Sequence, residues 1–202
     1  MRILITGCAG FIGYSLAAKL LEYKKNIIYG LDNLNTEYDE GLKKSRLKEL
    51  KKNNNFSFLK LDIIDYKKLA HRLKVHKFDI VIHLAAQAGV RKSIRDPNIY
   101  LNSNIIGHFN MCKICLEKKV KHFIFASSSS VYGNSKKFPL NESDITDNPV
   151  SFYAATKKTN ELISRSFSEI YKLKSTGLRF FTVYGEFGRP DMAPYKFTRK
   201  II

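Results

Sequence analysis

Short strand-like segments, most of them apolar on consecutive residues, recur along the chain at 2–6, 26–31, 56–61, 79–84, 122–127 and 176–181. Runs that are apolar on successive positions suit strands covered on both faces of a sheet. Between them, residues 11–23, 38–52, 65–75, 97–118 and 152–171 carry amphipathic patterns, as helices with one buried stripe do. Strand, helix and strand in repetition predict right-handed crossovers, and with them an α/β fold: a doubly wound parallel sheet with helices on both faces. No internal repeat, linker or low-complexity tract interrupts the alternation, and Asn53-Asn54-Asn55 reads as a turn. After Phe181 the pattern dissolves into Gly185, Gly188, Pro190 and Pro194 before a last helical stretch at 193–202. Residues 1–181 are therefore expected to form one α/β domain, and 182–202 only the start of a smaller second one. A last helix that begins without a cap and stops on an apolar residue predicts that the chain is the N-terminal piece of something longer.

Composition narrows this picture. With 202 residues, 44% hydrophobic and 26% charged, the chain has enough apolar surface for one sizeable core but hardly for two full domains. No apolar run approaches the roughly 18–20 residues of a membrane helix, and the first residues reach glycine too soon for a signal peptide. The three cysteines, an odd number, make no disulfide framework, so a reducing cytoplasm is the expected location. Cys112-Lys113-Ile114-Cys115 lies in a helical stretch without a second pair or a histidine cluster, so core-facing thiols are expected and no metal site. The net charge of +17 raises the question of a nucleic-acid or anionic-membrane partner. The lysines, however, are scattered in ones and twos, such as Lys24-Lys25 and Lys118-Lys119, and arginine is scarce. Solvated helix faces explain that distribution better, and neither nucleic acid nor membrane is expected as a partner.

The candidate chemistry begins at Gly7-Cys8-Ala9-Gly10-Phe11-Ile12-Gly13, which follows the first strand and opens the first helix. Asp32 ends the second strand at the distance a dinucleotide fingerprint requires, so the sheet is expected to be Rossmann-like. Gly7, Gly10 and Gly13 would let backbone approach a pyrophosphate held at a helix N-terminus. The Asp32 carboxylate would accept both adenosine-ribose hydroxyls and repel a 2′-phosphate, which favours NAD over NADP. Ligands lie beyond the carboxyl ends of parallel strands, so Asp62 and Ile63 are placed to border the adenine, and the small Leu84-Ala85-Ala86 turn to leave the cofactor room. Tyr153 and Lys157 stand at i and i+4 on one helix face. A tyrosine titrates near pH 10, too high for a general base at neutral pH, unless a cation such as Lys157 stabilises its phenolate. Ser127-Ser128-Ser129-Ser130 ends the fifth strand at the same sheet edge, where a hydroxyl can bond a substrate alcohol.

Together these residues resemble the extended short-chain dehydrogenase/reductases, in particular their nucleotide-sugar epimerase branch and, within it, the CapI-like UDP-glucuronate 4-epimerases. The resemblance covers essentially the whole chain. It rests on Thr6-Gly7-x-x-Gly10-Phe11-Ile12-Gly13, Asp32-Asn33-Leu34-Asn35, His83 to Arg91, residues 126–133, Tyr153-x-x-x-Lys157, Gly177 to Gly185, and Gly188 to Ala193. It implies Ser128, Tyr153 and Lys157 as the catalytic set. It implies cofactor contacts also at Phe11, Ile12, Asp32, Asn33, Asp62, Ile63, Leu84, Ala85, Ala86 and Ser103. Substrate contacts are implied at Gln87, Arg91, Ser128, Ser129, Thr182 and Arg189, with Arg189 facing either a carboxylate or the diphosphate. Two departures stand out: Cys8 replaces the usual alanine, and Glu186-Phe187 the usual Pro-Trp. The family's C-terminal substrate domain is absent from these residues.

The implied reaction inverts C4 of a UDP-sugar, most readily UDP-glucuronate, through a 4-keto intermediate, with NAD reused in each cycle and a homodimer as the implied assembly. Related dehydratases and decarboxylases carry Asp or Glu just after the active-site hydroxyl, whereas Ser129 and Ser130 stand here, which favours simple epimerisation. A UDP-glucose 4-epimerase or another nucleotide-sugar enzyme of this superfamily remains the nearest rival, and a non-catalytic NAD-binding module the rival of another class. His83 reads as a packed histidine, Tyr132 as structural, and Asn104 either as a ligand of backbone near the cofactor or as packing.

Overall fold

The computed structural model describes every residue except Glu37, Tyr38, Arg189, Asp191 and Ile202. Along the chain run β1 (Arg2–Thr6), α1 (Phe11–Leu21), β2 (Ile27–Asp32), α2 (Glu40–Leu50), β3 (Phe56–Lys60), α3 (Tyr66–Leu73) and β4 (Ile80–His83). There follow α4 (Val90–Arg95), α5 (Pro97–Tyr100), α6 (Gly107–Glu117), β5 (His122–Ser128), α7 (Phe152–Tyr171), β6 (Ser175–Phe180) and α8 (Ala193–Ile201). The strands form one sheet in the order β3-β2-β1-β4-β5-β6, with every neighbouring pair parallel. The expected doubly wound sheet is present. Its order reverses between β1 and β4, whose connections leave toward opposite edges and open a crevice beyond their carboxyl ends.

Strand alternation divides the core in two. Ile3 and Ile5 of β1 join Ala17, Leu21, Leu47 and Leu50 under α1 and α2. Leu4 points the other way and joins Leu69, Met111, Ile114 and Phe167 under α3, α6 and α7. This is why the central strands read as largely apolar runs, since each face has its own helical layer, whereas the edge strands β3 and β6 carry polar positions and are more exposed. Side chains start the helices where the pattern predicts a boundary. Asp39 accepts the Gly41 N–H, Asp65 the Lys68 N–H and Ser151 the Ala154 N–H, each satisfying a donor the helix leaves unpaired. At the other end of α7, Lys172 closes the helix in the left-handed conformation at φ 57°.

The structure corrects the segment expected as one helix over 97–118. It is α5, a π-helical stretch at Leu101–Ile106, and α6 in succession. Pro97 starts α5, as its fixed φ permits, and α4 precedes it as a short helix the pattern did not single out. The wide π turns occur where Asn104 turns inward, almost fully buried. Cys112 and Cys115 are buried in the α6 layer as expected, and burial pushes the Cys112 thiol up to about 12. Among the described residues no helix is long and apolar enough to cross a membrane.

Candidate functional site

The glycine turn is a cradle that no side chain fits. Gly7 has φ +73°, and a Cβ there would lie 2.8 Å from the Ala85 nitrogen. A Cβ on Gly13 would lie 2.1 Å from the Gly7 carbonyl oxygen, so helix α1 can begin that close to the turn only through glycine. The turn is fastened to the sheet by the Gly7 N–H on the Leu31 carbonyl at 2.7 Å. At its far side Gly10 caps α1 without a side-chain hydrogen bond, leaving the helix's positive end open to the crevice. Asp32 is nearly buried, and its two carboxylate oxygens accept the N–H groups of Ala9 at 3.1 Å and Leu34 at 2.9 Å. Each oxygen keeps a further lone pair for a ligand hydroxyl. Asn33 donates to Asp62 at 2.9 Å, which joins the ends of β2 and β3 into one rim.

Tyr153 lies in the first turn of α7 and Lys157 in the next. The Lys157 ammonium is 5.9 Å from the centre of the Tyr153 ring and donates to the Ala126 carbonyl at 2.9 Å. Burial holds Lys157 down to about 8, so at neutral pH it is still mostly a cation, poised beside the phenol. The start of α7 is held from two sides. Ser93 of α4 accepts the Tyr153 N–H at 3.1 Å, and the Tyr100 ring meets the Tyr153 ring edge-on at 6.1 Å. Ser128 ends β5, and its Oγ accepts the Ser130 N–H at 3.2 Å, which turns the chain into a short 3-10 helix at Ser129–Tyr132.

One cleft of about 500 Å³ runs along this edge. Of the residues singled out in the sequence, it is lined by Gly7, Gly10, Phe11, Ile12, Gly13, Asp32, Asn33, Asp62 and Ile63. Leu84, Ala85, Ala86, Gln87 and Ser103 line it too, as do Ser128, Ser129, Tyr153, Lys157 and Thr182. Arg91 is not brought in: it stands exposed at the start of α4, and Val90 forms the wall there. The neighbouring residue faces the cleft instead, because successive helix positions point about 100° apart. Arg189 lies outside the described residues.

Supporting groups sort out the remaining polar residues. Asn104 exchanges two hydrogen bonds with the backbone of Gln87, at 2.8 and 3.0 Å, and donates to Thr156 at 3.0 Å. Of its two readings, the backbone one holds: it ties the loop after β4 to α7. His83 hydrogen-bonds Thr6 at 2.7 Å, and burial, with the Lys157 charge, holds it down to about 3, so it is a neutral packed residue. Tyr132 lies beneath Arg179, whose guanidinium grips Glu161 at 2.9 and 3.0 Å, and Glu161 accepts from Ser127 at 2.5 Å. Sequence reasoning did not single out Lys43 and Arg46, which are buried on the inner side of α2. Their positions share the i, i+3, i+4, i+7 stripe with Leu47 and Leu50, and two cations on an inward stripe were the available signal.

Residues 3–202 match the profile of the NAD dependent epimerase/dehydratase family. The chain belongs to that family. This epimerase/dehydratase chain is 48% identical over 202 residues to protein CapI of Staphylococcus aureus, covering 100% of itself and 60% of CapI. It is 42% identical over 201 residues to a probable UDP-glucuronate 4-epimerase of Rhizobium meliloti (strain 1021), covering 100% of itself and 59% of that protein. Among solved structures, it superposes on UDP-glucuronic acid 4-epimerase from Bacillus cereus, in complex with UDP-glucuronic acid and NAD, with a TM-score of 0.90 and 34% identity. That match covers 100% of this chain and 63% of the other. The chain therefore spans about 60% of the length of the curated relatives above.

Proposed function

We propose that this cleft binds NAD and that the protein carrying this chain is a nucleotide-sugar 4-epimerase, converting UDP-glucuronate to UDP-galacturonate. The observation that carries the reading is the convergence on one cleft of the glycine cradle, the Asp32 rim and the Ser128, Tyr153 and Lys157 side chains. The cradle fits a dinucleotide: a Cβ at Gly7 or Gly13 would meet backbone, and the bare N-terminus of α1 suits a pyrophosphate. When bound, NAD supplies the hydride acceptor and donor. The chain's own residues do the rest. Asp32 holds ribose hydroxyls, with Asn33, Asp62 and Ile63 beside it. Phe11, Ile12, Leu84, Ala85, Ala86 and Ser103 shape the cofactor's channel. Tyr153 takes the proton of the C4 hydroxyl at its Oη and later returns one, while Ser128 hydrogen-bonds the same oxygen and the Lys157 cation favours the phenolate.

Ser129 and Ser130 follow the active-site hydroxyl, where an elimination would want a carboxylic acid, and this supports plain epimerisation. Gln87, Ser129 and Thr182 are the proposed sugar-side contacts in the cleft. The reading extends to residues 182–202 as the start of a substrate domain, and to a cytoplasmic protein. A homodimer is supported by the exposed apolar side chains Phe109, Leu162, Ile170 and Tyr171 on α6 and α7.

The test is product analysis by NMR with UDP-glucuronate and no added reductant. UDP-galacturonate is expected, and Tyr153→Phe should lower turnover by about 100-fold or more while NAD remains bound. A fully active Tyr153→Phe variant, or turnover of UDP-glucose in preference to the uronate, would overturn the assignment.

A further inference from the structure

Arg46 is the bulkiest fully buried side chain among the described residues, and nothing in the proton chemistry uses it. Its guanidinium forks between two distant parts of the chain. Nη1 donates to the Ala9 carbonyl at 2.9 Å, inside the glycine turn. Nη2 donates to the Phe187 carbonyl at 2.6 Å, 141 residues further along. Phe187 adopts φ 58°, a left-handed conformation unfavourable for a bulky aromatic residue. Two contacts accompany that conformation: the carbonyl meets Arg46, and the ring meets Tyr14 of α1 edge-on at 5.2 Å. The Gly188 N–H returns to the Gly185 carbonyl at 3.0 Å, and Gly185 passes so near Phe11 that a Cβ there would lie 3.7 Å from its ring. Residues 185–188 are thus a strap laid across the first turns of α1. Just before it, Thr182 and Val183 wall the cleft that the glycine turn floors.

A cofactor seated on that floor leaves more slowly if wall and floor are fastened to each other. A 4-epimerase needs this, because the hydride taken from the sugar must return from the same cofactor molecule; early release would strand the ketone. We infer that Arg46 is a positioning residue that retains the dinucleotide, acting through the Ala9 carbonyl and the 185–188 strap; this rests on the NAD reading above. The fork also explains why an arginine is buried here. A lysine, a single point of charge, reaches both carbonyls less well.

The experiment is a stopped-flow chase of bound NADH from the purified protein that carries this chain by excess NAD, followed by NADH fluorescence. In Arg46→Met, release is expected to be about tenfold faster or more, as loss of charged hydrogen bonds implies, with Arg46→Lys in between. A merely structural role would instead lower the unfolding temperature and leave the release rate unchanged. That outcome in folded Arg46→Met would overturn the strap inference while leaving NAD binding intact. If Arg46→Met does not fold, Tyr14→Ala decides: it removes the ring partner of Phe187 without disturbing the buried cation. Release about threefold faster or more supports the strap, and an unchanged rate overturns it. Failure of the parent protein to bind NADH would overturn both the strap and the NAD reading.

Discussion

His83 makes the fold sensitive to acid, by an amount that follows from its surroundings. The ring is buried between Thr6, His108 and Phe123, and Lys157 adds a like charge to the protonated form. Burial first, and Lys157 second, hold its pKa down to about 3. In the unfolded chain an ordinary histidine titrates near 6.5. Between those two values the unfolded state carries a proton that the native state refuses. Stability is therefore intact above pH 6.5 and is lost as pH falls toward 3. The slope is about 1.4 kcal/mol per pH unit, so lowering pH from 7 to 5 costs about 2 kcal/mol from this residue alone. Against a typical total of about 5–15 kcal/mol that loss is easily measured. His108 is held well below its usual value, mainly by burial, and acts with the same sign. Carboxylates titrate in the same range, so the clean readout is a difference. Urea unfolding of the wild type and of His83→Asn at pH 7 and pH 5 should show the variant losing about 2 kcal/mol less between the two. Any fixed cost of the substitution cancels in that comparison. Equal losses in the two proteins would refute the reasoning.

Other substitutions probe the site's frame. Gly7→Ala places a Cβ 2.8 Å from the Ala85 nitrogen at a left-handed φ of +73°. It should cost more than the roughly 1–2 kcal/mol of the backbone conformation alone, lowering the unfolding temperature and abolishing NADH binding in a fluorescence titration. A variant that kept both would show that the cradle is less tight than its geometry. Asn104→Leu removes both partners of the Gln87 backbone and leaves a buried donor and acceptor unpaired. At about 1–3 kcal/mol for each unsatisfied group, the urea midpoint should fall clearly, and an unchanged midpoint would mean that water replaces the amide.

The parallel sheet, its helical layers and the glycine-lined part of the cleft were legible along the chain because each depends on local pattern. The largely apolar runs of the central strands need two covered faces. Glycines at 7, 10 and 13 mark where backbone must come close, and the spacing of Tyr153 and Lys157 puts both on one helix face. Arg91 lies beside the cleft wall and not in it, because membership in a motif does not say which way a side chain on a short helix turns. Asn104 stayed ambiguous because its value lies in Gln87, a loop residue whose position no local pattern encodes. The helix expected over 97–118 was a single periodic stretch on paper. In the fold, Pro97 starts a short helix and the π turns re-aim Asn104 inward.

Local chemistry, then, set the element types, the glycine turn and the placement of Tyr153 and Lys157 on one helix face, since these follow from residues a few positions apart. Folding alone decided that Arg46 would join Ala9 to Phe187, that Arg179 would grip Glu161 beside Ser127, and that His83 would be kept neutral. Those outcomes depend on which distant segments share a buried volume and on how much water is excluded there. Desolvation and long-range hydrogen bonding have no signature in a one-dimensional pattern, because the same arginine on the same helical stripe would be an ordinary solvated cation if nothing lay across it.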